Sequence, residues 1–304
     1  MIDVNKKEGK KTLGNSVDPF AFVRGKFQEF YSNPENSDKY FDSLKAFLTR
    51  KADLNLSYYR DNYLHRRIYY RLMKLNIRSY KQYLQYLSYN PKEALKFKES
   101  FTIHVTKFFR DTKPFRYLEK NILPKIGREK GDTGKLRILC APCSTGEEAY
   151  SLGIICEFLQ KRHKLRCEYE ILACDLERKV VDFASDGVYP RASLKNISKE
   201  SVRRNFILED DIHFRIKDEI RGKIKFFVHD LLKPIPLNHY DLVTCRNFLI
   251  YISKKHQSIV IRNIMDVMDP GGYLLLGKTE GFPLLTEKQF DVITSREHIY
   301  RYKG

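Results

Sequence analysis

From Asp18 to Leu95 the apolar residues recur at spacings of three and four. The runs are "FAFVRGKFQEFY", "YFDSLKAFLTRKA", "YYRDNYLHRRIYYRLMKL" and "SYKQYLQYL", and this is the period of helices with one buried face. Asn55, Asn76 and Asn90-Pro91 fall between the runs and supply the breaks. The pattern predicts an all-helical domain over 18–100, then a linker over 101–134. From Lys135 onward short β-rich runs alternate with amphipathic helical ones. The strands read as "LRILCAP", "YEILACD", "IKFFVHD", "YDLVTCR", "GYLLLGK", "FDVIT" and "HIYRYK". Helices fit between the first five, "GEEAYSLGIICEFLQKRH" and "KKHQSIVIRNIMDVMD" among them. Such alternation predicts a parallel sheet covered on both faces. The last two runs leave no room for a helix and predict a hairpin at one edge. Residues 188–222 are too long and too charged for a connector, and predict an inserted subdomain with a helix and one or two short strands. No internal repeat is visible. The Lys-rich start, 1–17, lacks periodicity and predicts a disordered tail.

Over 304 residues, 42% hydrophobic and 13% aromatic content is enough for a real core. The basic start has no apolar run behind it and no uncharged segment is long enough to span a bilayer, so the expectation is a cytoplasmic protein without membrane insertion. All six cysteines lie between residues 140 and 245, several inside apolar runs, and read as buried free thiols. The eight histidines do not pair with them at zinc spacing, so no metal is expected. Net charge is +18, and the first 118 residues carry 24 Lys/Arg against 12 Asp/Glu. That excess reads either as a surface facing an acidic partner (nucleic acid, anionic lipid or acidic protein) or as an ordinary solvated face.

In open α/β sheets ligands sit beyond the carboxyl ends of the strands. "CAPCSTGEEAY" occupies that place after the first strand. Gly146 there would let backbone approach a ligand closely, and Ser144 and Thr145 offer hydroxyls. Glu147 and Glu148 argue against a nucleoside triphosphate, which wants backbone amides and a lysine. They suit a ligand with positive charge or free hydroxyls, although a helix N-terminus favours Glu in any case. A Cys140-x-x-Cys143 redox site is the competing reading, but two nearby carboxylates would raise a thiol pKa where redox chemistry needs it lowered. Asp175 ends the second strand, where an acid holds ribose hydroxyls or merely caps a helix. Asp230 ends the third and could face an adenine amino group. Arg246 and Asn247 follow the fourth. Four polar strand ends around one crevice form a constellation.

A mostly parallel sheet ending in an antiparallel hairpin is the arrangement of class I, Rossmann-like methyltransferases. "FTIHVTKFFRD", "CAPCSTGEEAYSL", "ACDLERKVVDFASDGVY", "HDLLKPIPLNHYDLVTCRNFLIYI" and "MDPGGYLLLGKTEGF" together resemble the CheR family over about residue 55 to the end. These enzymes transfer a methyl group from S-adenosylmethionine to glutamate side chains of chemotaxis receptors, leaving S-adenosylhomocysteine. The resemblance implies that Thr106 and Arg110 close over the cofactor, that Glu148 and Asp175 bind its polar groups, and that Asp230, Leu231, Arg246 and Asn247 line its pocket. Tyr251 matches the family's tyrosine near the reacting methyl, which makes Arg110 and Tyr251 the candidate catalytic pair. Three positions depart from the family pattern: His104 and Asp230 each stand where Asn is usual, and "GKTEGF" brings Lys278 close to the site. The insertion lacks the glycine-containing loop of members that grip a receptor's C-terminal pentapeptide, so no tether is expected.

A glutamate acceptor is ionised at neutral pH and needs no general base. The catalytic work is to strip its water and align it, and Arg110's fork matches two carboxylate oxygens. Docking falls to the basic stretch "RDNYLHRRIYYRLMKL", where Arg60, Arg67, Arg71 and Lys74 recur at spacings of seven, four and three and so share a helical face. The expected partners are the acidic helical cytoplasmic domains of receptors, met at membrane arrays, with no stable nucleic-acid complex. A nucleic-acid methyltransferase on the same fold is the alternative, yet "CRNFLIY" lacks the proline-containing turn that base-amine methylation uses. A cofactor-sensing module without catalysis is the third reading.

Overall fold

The computed structural model describes residues 30–52, 54–101, 105–236, 239–283 and 286–304. The tail expected over 1–17, most of the first expected helical run (20–29) and the departure at His104 lie outside the described residues. Two units divide the chain. The first runs through Leu56 and resumes from His65 to Phe97; the second holds Ser57–Leu64 and Lys98–Gly304.

The first unit is helical: α1 (Asp38–Ala52), α2 (Asp61–Leu75) from its fifth residue on, α3 (Tyr80–Tyr89) and most of α4 (Glu93–Glu99). α1 buries Phe41, Leu44, Leu48 and Ala52, and α2 buries Leu64, Ile68 and Leu72, the stripes that the spacing of three and four requires. Ser79 caps α3, its hydroxyl accepting from the Gln82 amide at 3.2 Å. Asn76 ends α2 in the left-handed region at φ 56°, which asparagine tolerates better than most residues.

Here the shared basic face of α2 is corrected. Arg71 is 7% exposed and its Nε and Nη2 donate to the two carboxylate oxygens of Glu93 at 2.5 and 2.7 Å. Tyr83 adds its hydroxyl to the same carboxylate at 3.1 Å. Glu93, 3% exposed on α4, needs a buried cation, and Arg71 turns inward to supply it. Arg67 is half-buried, while Lys74 is exposed beside Arg66, Tyr70 and Met73. Arg60 precedes α2 in the second unit and donates through Nε to the Ile252 carbonyl at 3.1 Å.

The second unit carries a seven-stranded sheet of order β6-β2-β1-β7-β8-β10-β9. The strands are β1 (Lys135–Cys140), β2 (Glu168–Asp175), β6 (Ile224–Val228), β7 (Tyr240–Cys245), β8 (Met268–Leu276), β9 (Phe290–Thr294) and β10 (Ile299–Tyr302). The first five pair in parallel, and β10 runs antiparallel between β8 and the edge strand β9, the expected terminal hairpin. β7 is buried at all six positions, as a central strand covered on both faces must be. Ahead of the sheet lie α5 (Thr112–Tyr117) and α6 (Leu123–Lys130). α7 (Glu147–Lys161) follows β1, α8 (Arg178–Asp186) follows β2, and α11 (Lys254–Met265) joins β7 to β8. The helix expected between β6 and β7 does not form among the described residues: Pro234 and Pro236 break that short link, and only a turn closes it at Asp230–Lys233. The insertion holds one strand more than expected. β3 (Val188–Pro190), β4 (Phe206–Leu208) and β5 (His213–Ile216) make an antiparallel sheet of order β3-β5-β4, with α9 (Lys199–Asn205) before β4 and α10 (Asp218–Arg221) after β5. No helix among the described residues is long and apolar enough to cross a membrane.

Candidate active site

The strand order reverses at β1, whose neighbours are β2 and β7. The crevice beyond the carboxyl ends of such strands is where the fold leaves backbone groups unpaired. A cavity of about 860 Å3, counting its solvent-open part, lies there. Of the residues singled out in the sequence, Thr106, Arg110, Glu148, Asp175, Asp230, Leu231, Arg246, Asn247 and Tyr251 all line it. They come from the linker, the start of α7 and the ends of β2, β6 and β7.

After β1 the chain turns through a cis Ala141–Pro142 bond. The Cys143 amide donates to the Cys174 carbonyl at 2.7 Å, fastening this loop to β2. Ser144 takes φ 50°, and its amide donates to Asp175 Oδ2 at 2.9 Å. Asp175, 5% exposed, accepts the Glu177 amide on Oδ1 at 3.3 Å. The Ser144 hydroxyl is buried with no hydrogen-bond partner among the described residues. A buried hydroxyl left so costs free energy until a ligand satisfies it.

Gly146 is the exception among the expected site residues, for it does not line the cavity. It opens α7 at φ 91°, and a Cβ there would stand 2.9 Å from Ala184 Cβ and from the Tyr189 hydroxyl. Conformation and packing against α8 already require glycine there. The two following glutamates part company. Glu147 is buried, accepts the Thr145 hydroxyl at 2.6 Å and has its carboxyl pushed up by burial. Glu148 reaches the cavity.

Arg246 gives both Nη groups to protein partners, while its buried Nε has no hydrogen-bond partner among the described residues. Its side chain is 1% exposed; Nη1 donates to Glu148 Oε2 at 2.8 Å, and Nη2 donates to the Arg110 carbonyl and Asp111 Oδ2 at 3.0 Å each. The guanidinium thus ties the tip of β7 to the start of α7 and to the linker. Within the linker Phe109 and Asp111 take φ 51° and 56° on either side of Arg110. Two left-handed residues cost free energy that the surroundings must supply, and the Arg246 bonds and the Phe109 amide on Ser151 Oγ at 2.9 Å do so. Arg110 Nη1 donates to the Val105 carbonyl at 2.6 Å.

Sequence reasoning missed three contributors. Tyr59 and Tyr63 line the cavity from a stretch that reads as one amphipathic helix. Tyr59 bridges to Ile252 and its hydroxyl pKa is raised by burial and by Asp230. Tyr63 donates to the Phe101 carbonyl at 2.6 Å, with its ring 4.7 Å from that of Tyr251. Of the two hydroxyls expected to face a ligand, that of Ser144 is left without a partner among the described residues, whereas that of Thr145 is taken by Glu147. Glu280 is 4% exposed and accepts four backbone amides, from Asn247, Phe248, Leu249 and Gly277, at 2.7–2.8 Å. Burial raises its carboxyl pKa and those amides oppose the shift.

Formal charge on the lining is two cations, Arg110 and Arg246, against Glu148, Asp175 and Asp230. An acidic crevice in a +18 chain favours a ligand that carries positive charge and hydroxyls. The six cysteines are buried free thiols, and burial raises Cys140 and Cys143 well above the ordinary thiol value, with Glu148 and Asp175 adding to it. Redox reactivity needs the opposite. Among the described residues no cluster could hold a metal ion.

Comparison with known proteins agrees with this geometry. Residues 104–299 match the family model described as "CheR methyltransferase, SAM binding domain", and residues 39–102 match "CheR methyltransferase, all-alpha domain". The chain is 31% identical to a chemotaxis protein methyltransferase of Listeria innocua, over 83% of this chain and 92% of that protein. It is 32% identical to chemotaxis protein methyltransferase 1 of Pseudomonas aeruginosa, over 67% of this chain and 76% of that one. An uncharacterised 104.1 kDa protein of Rhodobacter capsulatus is 29% identical over 84% of this chain, which spans 26% of that protein's length.

Proposed function

Since the chain belongs to the CheR methyltransferase family, we propose that the strand-tip cavity binds S-adenosylmethionine and that Arg110 and Tyr251 serve methyl transfer within it. The protein is an S-adenosylmethionine-dependent methyltransferase of chemotaxis receptors. Its residues fit the cofactor: the orphaned Ser144 hydroxyl suits a polar group of the nucleoside, Asp175 suits ribose hydroxyls, and the acidic lining suits a cation. Thr106, Asp230, Leu231 and Asn247 complete the wall. The observation that carries the reading is that nine residues from five chain segments share one cavity.

When bound, S-adenosylmethionine supplies an electrophilic methyl on a sulfonium. The receptor glutamate arrives ionised, so the chain supplies orientation and not a base. Arg110 turns a two-donor fork toward its carboxylate. Tyr251, backed by Tyr63, positions the reacting oxygen. Tyr59, Tyr63, Phe101 and Phe248 line the same space and exclude water, which strengthens the attraction of anion for cation. Good alignment is worth on the order of 7–11 kcal/mol.

The partner we infer is an acidic helical receptor domain at the membrane array, met by the exposed side of α2 that carries Lys74, and engaged without a C-terminal tether. The loop between β4 and β5, Glu209–Ile212, contains no glycine. A nucleic-acid substrate fits less well, because an acidic crevice repels phosphate. The test is labelled methyl transfer to acidic coiled-coil receptor fragments with and without their last five residues. A base-labile ester on both supports the reading; a base-stable product, or none on any fragment, refutes it. Asp175→Ala is expected to weaken S-adenosylhomocysteine binding at least about tenfold, the loss of one charge-assisted hydrogen-bond site.

A further inference from the structure

We propose that Glu280 is a positioning residue for methyl transfer: a buried carboxylate bracket that holds the loop bearing Asn247, Phe248 and Tyr251 in its reactive shape. The inference rests on the functional reading above. Glu280 does not line the cavity, so it acts through what it holds. Its Oε2 accepts the amides of Asn247 and Gly277 at 2.8 and 2.7 Å, and its Oε1 accepts those of Phe248 and Leu249 at 2.7 Å each. One carboxylate thus joins the tips of two adjacent strands, β7 and β8.

The bracketed residues lead directly to the chemistry. Asn247, on the cavity wall, takes φ 58°, a conformation that persists only when the surroundings fix it. The Phe248 carbonyl accepts the Tyr251 amide at 3.0 Å, so the bracket's middle rung is also the first bond of the turn that carries Tyr251. The Leu249 carbonyl is held in turn by Gln257 Nε2 at 2.8 Å. Gly277 has no room for a side chain: a Cβ would collide with the Glu280 carboxylate and stand 2.8 Å from the Asn247 amide nitrogen. The Glu280 amide closes a turn onto the Gly277 carbonyl at 2.9 Å, which folds the carboxylate back onto its targets. Four donors converge, and only a group with two acceptor oxygens and no proton satisfies them all.

Glu280→Gln keeps the shape but sets an amide NH2 against two of the four N–H groups. The full chain, wild type, Glu280→Gln and Glu280→Asp, is assayed for labelled methyl transfer to receptor fragments, for S-adenosylhomocysteine affinity by calorimetry and for thermal melting. Misplacement of a reacting group by an ångström costs on the order of 10²-fold, so kcat of Glu280→Gln should fall by about that factor. Cofactor affinity should stay within about tenfold, because Asp175, Ser144 and Asp230 are untouched, and Glu280→Asp should recover part of kcat. Turnover of Glu280→Gln within about threefold of wild type overturns the proposal. So does an equal loss of kcat and affinity that Glu280→Asp does not relieve. Should Glu280→Gln fail to fold, Glu280→Asp decides by the same split. A wild type inactive on every fragment sinks the functional reading instead; the bracket is then judged by amide proton resonances of Asn247, Phe248, Leu249 and Gly277, which must move upfield in either variant.

Discussion

Arg246→Met is the perturbation that the geometry prices most directly. The side chain is 1% exposed, and its removal strands Glu148, itself only 12% exposed, as an uncompensated carboxylate. Asp111 is 40% exposed and rehydrates, so its loss adds little. Breaking a buried pair from one side costs about 3–5 kcal/mol, mostly the desolvated partner left behind. For a cooperative unit of roughly 150–250 residues that is a fall of about 6–20 °C in Tm. The assay is urea unfolding of Arg246→Met, Glu148→Gln and the double variant. Glu148→Gln removes the stranded charge, so the double variant should be more stable than the sum of the singles predicts, by about 1–3 kcal/mol. An Arg246→Met cost below about 1 kcal/mol, or strict additivity, would refute the clamp.

Glu147→Gln tests the cost of a buried carboxyl. Its folded pKa is raised by burial, so the folded state binds more protons than the unfolded state between the ordinary and raised values, and stability falls as pH rises through that window. The variant should therefore be more stable than wild type at pH 8, with the gap closing as the pH falls below the raised pKa; a gap that widens on acidification counts against it. Arg71→Ala should destabilise by about 3–5 kcal/mol by stranding Glu93, read by urea unfolding, whereas Lys74→Glu should leave stability unchanged and lower receptor methylation. Gly146→Ala should cost about 1–3 kcal/mol from its φ and its contact with Ala184 and Tyr189, with cofactor affinity of the folded fraction unchanged by calorimetry.

What the sequence revealed follows from which interactions are local. The strands were legible because β7 and its neighbours are covered on both faces and must be apolar throughout. Asp175 was legible because the strand-tip rule ties a position in the chain to a place in space. Gly146 was misread because a helix N-terminus beside a strand invites a ligand, while its true constraint, Tyr189 and Ala184, lies some forty residues on. Arg71 was misread for a similar reason: helical spacing sets which residues share a face, but only Glu93 on another helix decides that the face turns inward. Tyr59 and Glu280 act through partners about 190 and 30 residues away, Ile252 and Asn247, and no periodicity signals either.

The interleaving of the two units has a practical consequence. Tyr59 and Tyr63 belong to the catalytic body, yet they precede the boundary at residue 104 by which its family is recognised. A fragment cut at that boundary would lack two walls of its own pocket and the strand bridge at Ile252. The helical unit is spliced into the enzyme through three covalent joints, after Leu56, after Leu64 and before Lys98, so the smallest piece able to turn over must carry helices of that unit with it.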